Sequence, residues 1–259
     1  MTIARALALR VGTPLLAALL ALTAWQLYAS LSGIRESTLP GPAQVFSALY
    51  TDRQLLADNA WVTIGEILAG YAASAVLGVG LAVVIHTWPA VERALYPWLV
   101  VSQTVPIPAI APIIVIWTGF DLRPKVIVIA LVCFFPIVVN AVDGLKAAEP
   151  ELLDLLRTLG ASRWQRFRMA QLPASLPSVF SGLKVAAAFS VIGAVFAEWV
   201  GSSSGLGYQI LVLNNQTATS EMFAVVAVLS LIGVALFLLV GLVERLLLPW
   251  YDQPRRDRL

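Results

Sequence analysis

The chain has 259 residues, of which 59% are hydrophobic and only 12% charged, with a formal net charge of +2. Its mean hydropathy is +0.84. Soluble domains carry roughly a quarter charged residues, so these figures exclude an ordinary soluble protein and describe an all-α integral membrane protein. A single cysteine, Cys133, lies inside an apolar run and excludes an intrachain disulfide. The single histidine, His86, has no Cys or carboxylate at ligand spacing and offers no metal site. No basic cluster interleaved with aromatics points to nucleic acid.

A helix crosses about 30 Å of hydrocarbon with about 20 residues. Apolar runs of that length predict six spans near 11–31, 60–86, 94–118, 124–143, 176–200 and 222–247. With the N-terminus inside, Arg5, Arg10, Arg93, Lys146, Arg157, Arg163, Arg166, Arg168, Arg245, Arg255, Arg256 and Arg258 fall on the cytoplasmic side. The outer side keeps Arg35, Arg53, Arg123 and Lys125, and Lys184 falls within the fifth span. That asymmetry predicts cytoplasmic N and C termini. The first run has a basic flank like that of a signal peptide, but it reaches Leu31 without a strong cleavage site, so an uncleaved span is expected.

After the first span, Pro40, Gly41 and Pro42 open an outer segment with an amphipathic stretch around Val45, Phe46 and Leu49, which predicts a short interfacial helix. The second span places Gly70, Ser74, Gly78 and Ala82 four residues apart, a face that lets helix backbones approach closely in lipid. Glu66, near its outer end, is expected to reach the interface. In the third span Gln103 and Thr104 precede Pro106, Pro108 and Pro112. Proline removes an amide and breaks the helix, and carbonyls freed at membrane depth must face protein or a water-filled cavity. A discontinuous helix bordering a transport path is the expectation, and Asn140 in the fourth span is a further path candidate.

Residues 149–177 form the most polar stretch between spans. Pro150 suits a first helical position, Glu149 and Glu151 complement a helix N-terminus, and Gly160 can close the C-terminus. Leu152, Leu155, Leu156 and Leu159 make one apolar stripe on a rod that also carries Asp154 and Arg157. Ser162 with Gln165 predicts a capping box for a second short helix bearing Trp164 and Phe167. A leucine-striped helix between spans needs something to cover its stripe.

In the fifth span Gly182, Ala186, Ser190 and Ala194 repeat the four-residue spacing of small residues, and Glu198 continues that face. A carboxylate within a span is costly and is a site candidate, either facing the bundle interior or reaching the outer interface. The segment 201–221 is rich in Gly, Ser and Asn and reads as a loop. No Gly-x-x-x-x-Gly-Lys-Ser/Thr phosphate loop occurs.

The 149–173 stretch resembles the cytoplasmic "EAA" loop of ABC-importer permeases, in which an acid-Ala-Ala run precedes Gly and an Ile-x-Leu-Pro end follows. Asp154 lies six residues before Gly160, nine residues follow that glycine, and Ala170-Gln171-Leu172-Pro173 stands at the end position. Asp for Glu, Leu155-Leu156 for Ala-Ala and Ala170 for Ile depart from the pattern, while Gly160-Ala161-Ser162 is kept. The run from Ala197-Glu198-Trp199 to Gly205-Leu206-Gly207 resembles the segment after the equivalent helix. Phe134 to Asn140 and Leu159 to Arg163 look nearest the nitrate/sulfonate/taurine branch, which also holds thiamine-precursor and riboflavin permeases.

The resemblance implies a type I ABC-importer permease fold with six spans and a cytoplasmic coupling helix. An N-terminal helix and outer linker (1–36) would precede a permease core (37–259) whose coupling loop lies at 144–175. It implies a bacterial inner-membrane, multi-pass transport subunit, not itself an enzyme. That subunit would move a small polar or anionic solute of the sulfonate, nitrate or vitamin-precursor kind. Expected partners are a second permease copy (a homodimer), two cytoplasmic ATPases that hold ATP and Mg, and an extracytoplasmic solute-binding protein; no cofactor is expected in this chain. Glu151, Asp154, Leu155, Leu156, Arg157, Leu159, Gly160, Ala161 and Ser162 would couple to the ATPase. Gln103, Thr104, Pro106, Asn140, Ser190 and Glu198 are the path candidates. The alternatives are an ion-coupled secondary transporter, with Glu198 and Asp143 as carriers, and a membrane enzyme acting on lipids.

Overall fold

A computed structural model describes residues 3–251; the basic tail with Arg255, Arg256 and Arg258 lies outside them. The described chain is helical throughout. The helices are α1 (Ile3–Leu31), α2 (Pro42–Thr51), α3 (Arg53–Thr87), α4 (Pro89–Ser102), α5 (Ile107–Thr118) and α6 (Leu122–Lys146). They continue with α7 (Pro150–Thr158), α8 (Arg163–Arg166), α9 (Leu172–Gly201), α10 (Leu206–Asn215) and α11 (Thr219–Leu247). Among the described residues, α3, α6, the continuous helix Arg163–Gly201 and α11 are each long and apolar enough to cross a membrane. The pair α4 and α5 makes a fifth candidate, bent by 103°. The remaining expected span coincides with α1, whose apolar part is the shorter Leu15–Leu31.

Helix α6 is the middle of the bundle, with α3 and α9 packed against it through the two small-residue faces. Ser74, Ala82, Ala186, Ser190 and Ala194 have no exposed surface. At Gly182 the contact is backbone to backbone. A Cβ there would stand 2.8 Å from the Pro136 carbonyl oxygen and 2.8 Å from Asn140 Cβ. Lipid tails are as apolar as leucine, so helices in a membrane associate by close van der Waals packing, which such contacts permit. Two ion pairs add to it: Lys125 Nζ lies 2.5 Å from Glu66 Oε1 between α6 and α3, and Lys184 Nζ lies 2.7 Å from Glu244 Oε2 between α9 and α11. Glu66 is 3% exposed, which corrects the expectation of an interfacial residue. Its neighbour is Lys125, 59 positions away, and no local pattern announces that pairing.

The third expected span is two helices. The amides of Gln103, Thr104 and Val105 bond back three residues, to Val100, Val101 and Ser102, so α4 tightens as it ends. Pro106 follows with an extended backbone (ψ 115°) and begins α5. It supplies no amide to continue the ladder, and it disfavours helical geometry at the residue before it. At the fifth span the departure is opposite: α8 passes through a single π-helical turn, Phe167–Gln171, directly into α9. The Leu172 amide donates to the Phe167 carbonyl, a five-residue bond that widens the helix just before Pro173.

Replacing Gly182 with valine should push α9 away from α6, because the Pro136 carbonyl cannot yield as a flexible side chain would. A cost of about 1–3 kcal/mol is expected for such overpacking, read as a lowered unfolding temperature of the purified protein in detergent.

Candidate functional site

The segment from Glu149 to Gln171 is built by local rules. Pro150 opens α7, with Glu151 in its first turn and Arg157 in its last. The helix ends in a Schellman arrangement: the Ala161 amide donates to the Leu156 carbonyl at 2.9 Å and the Gly160 amide to the Arg157 carbonyl at 3.0 Å. Gly160 adopts φ 81°, a conformation that costs a side chain energy and glycine nothing. Ser162 then begins α8 with the expected capping box. Its hydroxyl accepts from the Gln165 amide at 3.2 Å, and Gln165 Oε1 accepts from the Ser162 amide at 2.7 Å. Trp164 and Phe167 stack with ring centroids 5.5 Å apart.

This helical hairpin presents an apolar face that its own chain leaves open. Helix α7 has no buried residue. Leu152, Leu155 and Leu159 are 41%, 56% and 74% exposed, and Leu156 is half-buried. Glu151, Asp154 and Arg157 are exposed beside them. Leu153, on the other side of the rod, lines a cavity between the hairpin and the turn joining α3 to α4.

The path candidates divide. Gln103 and Asn140 both line a cavity of about 730 Å³ bounded by the α4–α5 break, α6 and α9, with Phe135, Phe189 and Phe196 among its other walls. Asn140 Nδ2 donates to the Pro136 carbonyl at 2.7 Å, within its own helix. Thr104 and Pro106 are exposed at the break itself. Ser190 is fully buried and its hydroxyl donates to the Ala187 carbonyl at 2.7 Å.

Glu198 is also fully buried, in a different setting. Its Oε1 accepts from the Thr63 hydroxyl at 2.7 Å, and its Oε2 accepts from the amides of Gly207 and Tyr208 at 2.6 and 3.1 Å. Those two amides are in the first turn of α10, where a carboxylate satisfies unpaired donors and opposes the helix dipole. Asn59 Oδ1 accepts from the Gly205 amide at 2.8 Å, and Thr63 Oγ1 from the Leu206 amide at 2.9 Å. The carboxylate therefore holds a helix. The reading of 201–221 as a loop is corrected here, since α10 occupies its middle. Leu206, Ile210 and Leu213 are its apolar spacing, masked by the Gly- and Ser-rich residues before it. Asn59 and Thr63 escaped the sequence reading, although with Glu66 they extend the small-residue face of α3 as a polar stripe.

A family model described as the binding-protein-dependent transport system inner membrane component matches residues 70–253, and the chain belongs to that family. It is a multi-pass ABC transporter permease, a transport subunit. It is 38% identical over 238 residues to the formylaminopyrimidine transport permease protein ThiX of Halalkalibacterium halodurans, covering 92% of this chain and 95% of that one. It is 30% identical to the putative aliphatic sulfonates transport permease protein SsuC of Bacillus subtilis, covering 87% and 83%. These likenesses fall in the branch to which the sequence runs pointed. The fold is similar to that of a chain in a solved structure of the MetNI methionine ABC transporter, with TM-score 0.64, 18% identity, and 75% of this chain and 97% of that chain covered.

Glu198→Ala would remove both acceptor oxygens, leaving the buried amides of Gly207 and Tyr208 unpaired at about 1–3 kcal/mol. The amides of 206–209 should then exchange with deuterium faster than in the unmodified protein. Gly205→Ala should do the same. Its φ is 108°, and an added Cβ would collide with the Glu198 carboxylate.

Proposed function

We propose that this chain is the membrane subunit of an ATP-driven importer, with α7 and α8 as its coupling element. The observation that carries the reading is a rigidly capped hairpin whose leucine face is uncovered. Contiguous exposed apolar faces of this kind mark interaction surfaces. The partner is a cytoplasmic ATPase subunit, and Leu152, Leu155, Leu156 and Leu159 fill its groove while Glu151, Asp154 and Arg157 fix the register. Gly160, Ala161 and Ser162 hold the hairpin's angle.

In this reading α1 is the sixth span and both termini are cytoplasmic, in keeping with the distribution of basic residues. An N-terminal helix and linker (1–36) precede the permease core (37–259). Two copies pair, two ATPases bind inside, and a solute-binding protein delivers a small polar or anionic solute, of the sulfonate, nitrate or vitamin-precursor kind, from outside. ATP and Mg belong to the ATPases. ATP binding brings the two coupling hairpins together and shifts the paired bundles between inward- and outward-open forms, which requires ATP to favour one of them. Gln103 and Asn140 border the path, at the broken helix where backbone carbonyls can meet water. An ion-gradient carrier is disfavoured by Glu198, whose two oxygens are already occupied by donors from Thr63 and α10.

Leu155→Asp tests the coupling element without disturbing the chain's own packing. It should weaken ATPase co-purification by about thirtyfold, as loss of an interface hot spot of about 2 kcal/mol does, while membrane insertion stays normal. An intact complex with normal ATP-dependent transport would overturn the assignment.

Single cysteines replacing Gln103 or Asn140 in a Cys133→Ala background should react with a small polar thiol reagent at rates that change when ATP is added. Protection in every state would place both residues in packed protein.

A further inference from the structure

The cavity behind the coupling hairpin has a composition that the coupling reading does not use. Its volume is about 500 Å³, and its walls include His86, Arg163, Trp164, Arg166, Phe167 and Gln171. Among the described residues neither guanidinium has an ion-pair partner, and no carboxylate lines the space. Arg166 Nε is buried and has no hydrogen-bond partner. Buried polar atoms in native proteins are nearly always satisfied, and a buried cationic donor without one marks a missing acceptor. Glu92, in the first turn of neighbouring α4, is engaged by Lys146 at 2.5 Å and is not that acceptor.

The place of the cavity indicates what the acceptor is. It lies where α3 leaves its apolar run at Val83–Thr87 and α4 begins at Pro89, so it stands at the boundary between hydrocarbon and water. Trp88, in the intervening turn, is 55% exposed, and Trp164 is 66% exposed. Amphipathic rings favour that boundary. Basic pockets between helices at such a boundary suit anionic headgroups.

We infer that this cavity is a phosphate-anion site, formed by Arg163, Arg166, His86 and Gln171, whose ligand is the phosphodiester of an anionic phospholipid. The stacked Trp164 and Phe167 rings offer a surface to the glycerol and upper acyl region. On the orientation proposed above, the lipid belongs to the cytoplasmic leaflet. Its headgroup then fills the wedge between the coupling hairpin and the α3–α4 turn and sets the hairpin's seat against the membrane.

Native mass spectrometry of the delipidated transporter complex in detergent tests the site, with dioleoyl-phosphatidylglycerol and dioleoyl-phosphatidylcholine as probes. One phosphatidylglycerol should be retained per permease copy, preferred over phosphatidylcholine by about thirtyfold, the equivalent of two basic residues at a membrane surface. The double variant Arg163→Gln/Arg166→Gln should lose that preference, while Arg245→Gln, an exposed arginine on α11, should keep it. A parallel titration with radiolabelled inorganic phosphate separates the sources. Binding of phosphate with no lipid preference would assign the site to a free anion and overturn the lipid. Unchanged retention in the double variant, or lipid binding only after the ATPase is stripped away, would overturn the proposal, the latter in favour of an ATPase side chain. None of these readings depends on whether Leu155→Asp uncouples the complex, so the two assignments fail separately.

Discussion

Everything in this bundle depends on α6 being approached closely from both sides. Within a bilayer the apolar surface of a helix gains nothing by leaving lipid for protein, so packing must come from short, extensive contact. Small residues on α3 and α9 provide it, and α6 answers with Ile129, Ile137 and the Pro136 carbonyl. The proline in α6 is part of this arrangement. Pro136 supplies no amide, which leaves the Val132 carbonyl without its helical donor, while the Pro136 carbonyl accepts from Asn140 Nδ2.

Close packing also makes buried polar groups affordable. Glu66 with Lys125, and Glu198 with Thr63 and the first turn of α10, lie at the end of the bundle away from the α7–α8 hairpin. Each is a charge removed from water, which is tolerated only when its donors or counter-charge are in place. Such groups stabilise the fold less than they restrict it. A rotated α3 would leave Lys125 without Glu66 and Glu198 without the Thr63 hydroxyl, so the correct rotation is strongly distinguished from its neighbours.

Much of the α7–α8 hairpin was legible in the sequence because it is made by short-range chemistry. Pro150, Gly160 and the Ser162–Gln165 box act within four residues of themselves, and the structure uses each as its type suggests. Helices α3, α6, α9 and α11 were legible as apolar runs, and the small-residue faces of α3 and α9 as a period. What escaped notice depends on distant partners. Glu66 looked interfacial because nothing near it reveals Lys125. Helix α10 looked like a loop because its first turn is satisfied by Glu198, from another helix, and not by a residue of its own. Pro106 marked the break in the third span, but no local signal fixes a bend of 103°.

The continuity of α8, the π turn and α9 has a mechanical meaning. At about 1.5 Å per residue, the 39 residues from Arg163 to Gly201 form a strut that runs from the hairpin to the carboxylate holding α10. The two ends are thus joined by one run of helix whose hydrogen-bond ladder is altered at the π turn and at Pro177. The α7–α8 hairpin and the Glu198 cap of α10 therefore stand at the two ends of one helix.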